Sequence, residues 1–195
     1  MITCLLITFY LKMILPIYTY GNAVLRKKTE EISADYPQLK TLISNMFETM
    51  YHAEGVGLAA PQVGLSIRLL VIDLAPFIED DPVLGAFKTV MINPVILERS
   101  AEEVSAEEGC LSIPGVHEMV MRAEKIKIKY RDSDFIEHVD EFEGYIARVV
   151  QHEYDHLEGH LFTDRVTPIR RQLLKSRLTS IVKGKATCSY KIKAA

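Results

Sequence analysis

His152, Glu153 and His156 form the pattern H-E-x-x-H within residues 151–160, which read Gln-His-Glu-Tyr-Asp-His-Leu-Glu-Gly-His. On an α-helix, positions i and i+4 are about 40° apart around the axis and roughly 6 Å apart along it. Two imidazoles placed so can reach one metal ion from the same face. Glu153 sits where its carboxylate meets a water on that ion rather than the ion itself. Two neutral nitrogen ligands and a carboxylate base suit a metal hydrolase. The alternative is an ordinary amphipathic helix that carries two histidines, and the preceding run Tyr145–Val150 does predict a half-buried helix. A third ligand decides between them.

Zinc proteases with this pattern take their third ligand from downstream. The metzincin spacing needs Gly three residues after the second His, which Gly159 meets, and His three residues later, where Phe162 stands. His160 is at the wrong offset. A carboxylate from a later helix is excluded, because no Asp or Glu follows Asp164. The ligand must come from upstream, where Glu107-Glu108-Gly109-Cys110-Leu111-Ser112-Ile113-Pro114-Gly115 offers Cys110. A free cysteine is usually a small buried hydrophobe, the reading that fits Cys4 and Cys188. Cys110 differs in lying on a short strand-like segment between Gly and Pro.

Three blocks, Gly55-Val56-Gly57-Leu58-Ala59-Ala60-Pro61-Gln62, Glu107–Ser112 and Gln151–His156, together resemble the peptide deformylases in content, order and spacing. The resemblance runs from about Met13 to Phe162 or beyond. It implies that Cys110, His152 and His156 hold one divalent ion, commonly iron(II), with nickel, cobalt or zinc able to take the same site. It implies that Glu153 is the base, and that the side-chain amide of Gln62 and the main-chain N–H of Leu111 stabilise the oxyanion. The substrate is then an N-formylmethionyl peptide on the ribosome, and the product formate. By the family's pattern Val56, Tyr145, Val149 and the ring of His152 line the methionine pocket. The peptide lies extended against Gly57 and Gly109, and Arg122 stands near the entry. Asp155 reads as a ligand-orienting group or, more simply, an exposed helix carboxylate. Glu108 reads as a buttress for the loop holding Gln62 and Cys110.

Rivals are a metallopeptidase cutting internal amide bonds, and a binding module with a structural metal. The latter wants a closed four-ligand site, for which only Cys4 and Cys188 remain. An inactive relative is disfavoured by the intact Glu153 and Gln62.

The elements must deliver these groups to one place. A chain of 195 residues, 48% hydrophobic and 25% charged, suits one domain with a full core. Three cysteines without paired spacing point to a reducing, cytoplasmic setting. Residues 1–12 read as an extension or upstream start, neither an anchor nor a signal, since the apolar run is too short to span a bilayer. Residues 13–184 read as the catalytic domain and 185–195 as a basic tail. Of 23 basic residues nine lie from Arg165 on, with no acid, leaving 14 against 26 acidic residues in the remainder. Such asymmetry suggests a contact made by the tail, and a ribosome contact through the preceding basic helix; no DNA or membrane partner is expected. The alternative is a solvated helix face with a floppy end.

Pro16–Lys28 reads as an extended arm. Leu39, Leu42, Ile43, Met46, Phe47 and Met50 recur at helical spacing, and Gly55 stops that helix. Gly55–Gln62 reads as a tight loop. Strands are predicted over 67–74, 89–97, 104–113, 125–130 and 135–142, with Asp80–Pro82 a turn and Gly144 opening the metal helix. Thr167-Pro168 opens a last helix with Ile169, Leu173, Leu174, Leu178 and Ile181 inward. Strands and helices are segregated, predicting an α+β fold of mostly antiparallel sheets around a central metal-binding helix.

Overall fold

The computed structural model describes residues 13–195. The expected extension at 1–12, with Cys4, lies outside the described residues. At the centre is an antiparallel sheet of five strands in the order β2-β3-β4-β7-β8. These are β2 (Gly57–Ala59), β3 (Leu69–Asp73), β4 (Lys88–Arg99), β7 (Lys125–Arg131) and β8 (Glu137–Glu143). Leu69–Ile72 of β3 are apolar without interruption because both faces of the strand are covered. Leu70 and Ile72 pack on one face with Ala147, Val150 and Leu157 of helix α3 (Gly144–Leu157). Leu69 and Val71 pack on the other with Ile43, Met46 and Met50 of helix α1 (Leu39–His52). The alternation of side chains along a strand puts successive residues into different cores. Ile126, Ile128 and Tyr130 of β7 are buried on one face, as their period of two predicts.

The third ligand is carried by a separate hairpin, β5 (Glu103–Cys110) and β6 (Ile113–Ala123). Its register shifts between Gly109, opposite His117, and Cys110, opposite Ile113, so Cys110 closes the hairpin at an irregular turn. The sequence reading did not anticipate β6. Its strict alternation buries Val116, Val120 and Arg122 and exposes His117, Met119 and Met121. On its buried side, Ile113, Val116 and Val120 form a third core with Phe162 and with Leu174, Leu178 and Ile181 of α4 (Pro168–Val182). α4 starts where expected, its Thr167 side chain accepting a hydrogen bond from the Arg170 N–H.

Three local expectations are corrected. Gly55–Gln62 is not a plain loop, because Gly57–Ala59 pairs with β3 before a 3-10 turn at Ala60–Val63. Asp81 caps a short helix, α2 (Pro82–Gly85), where a turn was expected. In α4, Ile169 and Leu173 are 76% and 66% exposed, since they lie off the helix face that turns Leu174, Leu178 and Ile181 into the third core. The end of the chain is also folded. β9 (Ile192–Lys193) pairs in parallel with β1 (Ile17–Tyr18). No helix among the described residues is long and apolar enough to cross a membrane.

Candidate active site and metal centre

Helix α3 begins at Gly144 and ends at Leu157, with Gly159 in the left-handed region at φ +77°. A Cβ at Gly159 would stand 2.7 Å from the Arg26 carbonyl, so only glycine lets the chain turn this closely. Along α3, His152 and His156 project on one side, with ring centroids 5.2 Å apart. The hairpin end brings Cys110 to them. The ligand atoms of Cys110, His152 and His156 all lie within 4.8 Å of one another, and Cys110 Sγ is 3.3 Å from His156 Nε2. One thiolate and two imidazoles are a donor set that divalent transition metals accept. The orientation of His152 fits that use. Its Nδ1 donates to Glu108 Oε2 at 2.9 Å, leaving Nε2 for an ion. The residues present therefore fit the metal.

Glu153 is buried beside them, and its Oε2 meets no hydrogen-bond partner among the described residues. Burial raises its carboxyl to about 7, against the opposing charges of His152 and Arg122. A carboxyl titrating near neutrality both takes and returns a proton readily. Gly57 makes room for it, since a Cβ there would lie 2.5 Å from Glu153 Oε1. Gln62 is buried, and its Oε1 accepts from the Ala59 N–H at 2.8 Å. That bond turns the amide's donor toward the cluster, 3.6 Å from Cys110 Sγ. The Leu111 N–H has no acceptor among the described residues, whereas its carbonyl accepts from the Tyr190 hydroxyl at 2.8 Å.

These groups open on a cavity of about 490 Å³, lined by Val56, Gly57, Gln62, Gly109, Tyr145, Val149 and other residues. Tyr145 is half-exposed against the edge of Phe77. Arg122 is elsewhere. Only 3% exposed, it does not line the cavity but pairs with Glu108 at 2.6 Å and Asp155 at 2.8 Å. Asp155 is likewise no exposed carboxylate; it is buried and bonded to Arg165 as well. Arg148 reaches Glu108 at 2.8 Å. Burial works against Glu108, but the Arg122 and His152 donors hold it well below the usual carboxylate range. This network ties the hairpin to α3 and orients His152.

Sequence reasoning placed Glu108 as a buttress but missed Arg148 and the true station of Arg122. A signal existed. Arg148 is a charge inside the apolar turn of α3, and a buried charge demands a partner. Replacing Arg122 by Met leaves two buried carboxylates short of a cation and is expected to cost about 3 kcal/mol of folding stability. Urea unfolding checks this, and a loss under about 1 kcal/mol would show the network to be redundant.

Comparison with known proteins places this arrangement. The model of the family described as polypeptide deformylase matches residues 14–172. The peptide deformylase of Christiangramia forsetii is 50% identical over 188 residues, covering 93% of this chain and 96% of that one. That of Flavobacterium psychrophilum is 51% identical, covering 93% and 97%. Among solved structures, a peptide deformylase from Legionella pneumophila superposes with a TM-score of 0.77 at 38% identity, over 90% of this chain and all of that one. The Thermotoga maritima peptide deformylase gives 0.72 at 44% identity, over 80% and 99%. Its fold, its Cys-His-His cluster and these likenesses agree: the chain belongs to the peptide deformylase family, metal-dependent hydrolases that remove the N-formyl group from newly synthesised peptides.

Proposed function

We propose that the residues of this cavity divide the deformylation of an N-formylmethionyl peptide as follows. Cys110, His152 and His156 hold one divalent ion, natively iron(II). When bound, the ion acidifies water and polarises the formyl carbonyl. Glu153 takes the proton of the attacking water and hands it to the departing amine, giving formate and a free N-terminus. The Gln62 amide and the Leu111 N–H donate to the developing oxyanion. The single observation that carries this division is the unpartnered, buried carboxyl of Glu153 beside three clustered ligand atoms.

Substrate placement follows from the walls. Val56, Tyr145 and Val149 supply an apolar recess for the methionine side chain, and Gly57 on the edge strand β2 and the exposed Gly109 border the cavity where an extended peptide can join as a strand. Gln62→Leu removes one donor without adding bulk. It is expected to lower kcat about 10²–10³-fold with metal content unchanged. Steady-state formate release checks this, and a loss under about tenfold would remove Gln62 from the oxyanion site. Elemental analysis after anaerobic purification tests the ion; stoichiometric zinc without iron would contradict iron(II).

The enzyme then acts in the cytoplasm, where formylated chains emerge. Lys175, Lys183 and Lys185 stand exposed around one shallow depression on α4 and the turn beyond it, with the uncovered Leu173 in the same wall. That face supports docking on ribosomal RNA through phosphate contacts. Glutamates at the three basic positions are expected to abolish salt-sensitive co-sedimentation with ribosomes, and undiminished binding would overturn the contact.

A further inference from the structure

The cavity has a wall that the deformylation chemistry leaves unused. Thr187, Cys188, Ser189 and Tyr190 line it together with Ile113–His117, although the 69 residues 118–186 separate the two segments in the chain. Strand pairing after this segment anchors it, as Ile17 N–H donates to the Lys191 carbonyl at 2.9 Å and β9 lies along β1. Tyr190 ties it inward through its hydroxyl to the Leu111 carbonyl, one residue from the cysteine ligand. Before the segment, Ala186 packs on the third core.

Between these anchors the main chain is irregular at Thr187 and Cys188, bent at Ser189 and Tyr190, and unpaired. Among the described residues, none hydrogen bonds to the main-chain N–H or carbonyl of Thr187, Cys188 or Ser189. Thr187 and Ser189 are exposed while lining the cavity. An anchored stretch with free main-chain donors and acceptors on a cleft is the kind of edge on which an extended peptide pairs. The segment also lies beyond residue 172, where the match to the family model ends.

We propose that Thr187–Tyr190 form a strap that is part of the substrate cleft and reads the peptide residues following the formylmethionine. The proposal rests on the methionine occupying the Val56, Tyr145 and Val149 recess. A single residue there leaves much of the cavity unfilled, and the chain that continues from it meets the strap and Ile113–His117. Recognition is through main-chain hydrogen bonds and the small Thr187 and Ser189 hydroxyls, so it depends on peptide length more than on side-chain identity.

The test compares metal-replete wild type with Thr187→Trp and Ser189→Trp on formyl-Met-Ala and on a formylated hexapeptide with the same first two residues. Bulk at these exposed positions should not disturb the core but would block the strap. The ratio of KM for the hexapeptide to KM for formyl-Met-Ala is expected to rise about fivefold or more in each variant. A ratio within about twofold of wild type in both, or parallel losses on both substrates, would overturn the proposal. Independently of any variant, a hexapeptide with a photoreactive third residue should label residues 186–191 of the wild type, and labelling confined to other segments would also overturn it. Failure of the underlying substrate placement reads differently, as wild type unable to deformylate formyl-Met-Ala at all.

Discussion

Glu153→Gln is expected to hold its metal, fold normally and release formate about 10²–10⁴ times more slowly than the wild type. The substitution keeps the size and planarity of the side chain, so the contact across Gly57 survives. It removes only the ability to take a proton from water and return it to the amine. No cation pairs directly with the Glu153 carboxyl among the described residues, so no ion pair is broken. Neutralising a buried carboxyl also costs no stability, and the thermal midpoint should stay level or rise. Single-turnover formate release beside elemental analysis checks the result. A variant retaining more than about a tenth of wild-type kcat with full metal would show that the proton is carried by another group.

Cys110→Ala is expected to abolish both metal retention and activity. The remaining pair of imidazoles on α3 is a weak site, because the thiolate is the one anionic ligand of the cluster. The fold should persist, since the hairpin is held by its ladder and by the Glu108–Arg122–Asp155 network rather than by the sulfur. Metal content after dialysis is the direct readout. With cobalt(II) added, the thiolate-to-metal absorption of the wild type should be missing from the variant. A stoichiometric ion with that band intact would place the third ligand elsewhere.

The helix carrying the histidines was legible because one short pattern contains both its period and its chemistry. His152, Glu153 and His156 are adjacent in the chain, and Gly144 and Gly159 mark the ends of the element. Cys110 was legible by elimination and by its Gly–Pro setting, although it reaches the histidines only through tertiary folding. The buried faces of α1 and β7 followed from periodicity. Arg122 and Asp155 were misplaced because an isolated charged letter does not reveal whether it is solvated or paired. Their pairing arises only when β6 crosses α3. Ile169 and Leu173 are apolar letters on the side of α4 turned away from the core that takes Leu174, Leu178 and Ile181. The strap at Thr187–Tyr190 had no local signal at all, since its place on the cavity depends on β9 meeting β1 from the opposite end of the chain.

The most direct measurement is mass spectrometry of formyl-Met-Ala-Ser after incubation with anaerobically purified, metal-replete protein, with formate assayed in parallel. The expected result is loss of the formyl group alone, one formate for each peptide, and an intact Met-Ala-Ser chain. Absence of formate, or fragments cut at the internal amide bonds, would contradict a deformylase built on Cys110, His152, Glu153 and His156.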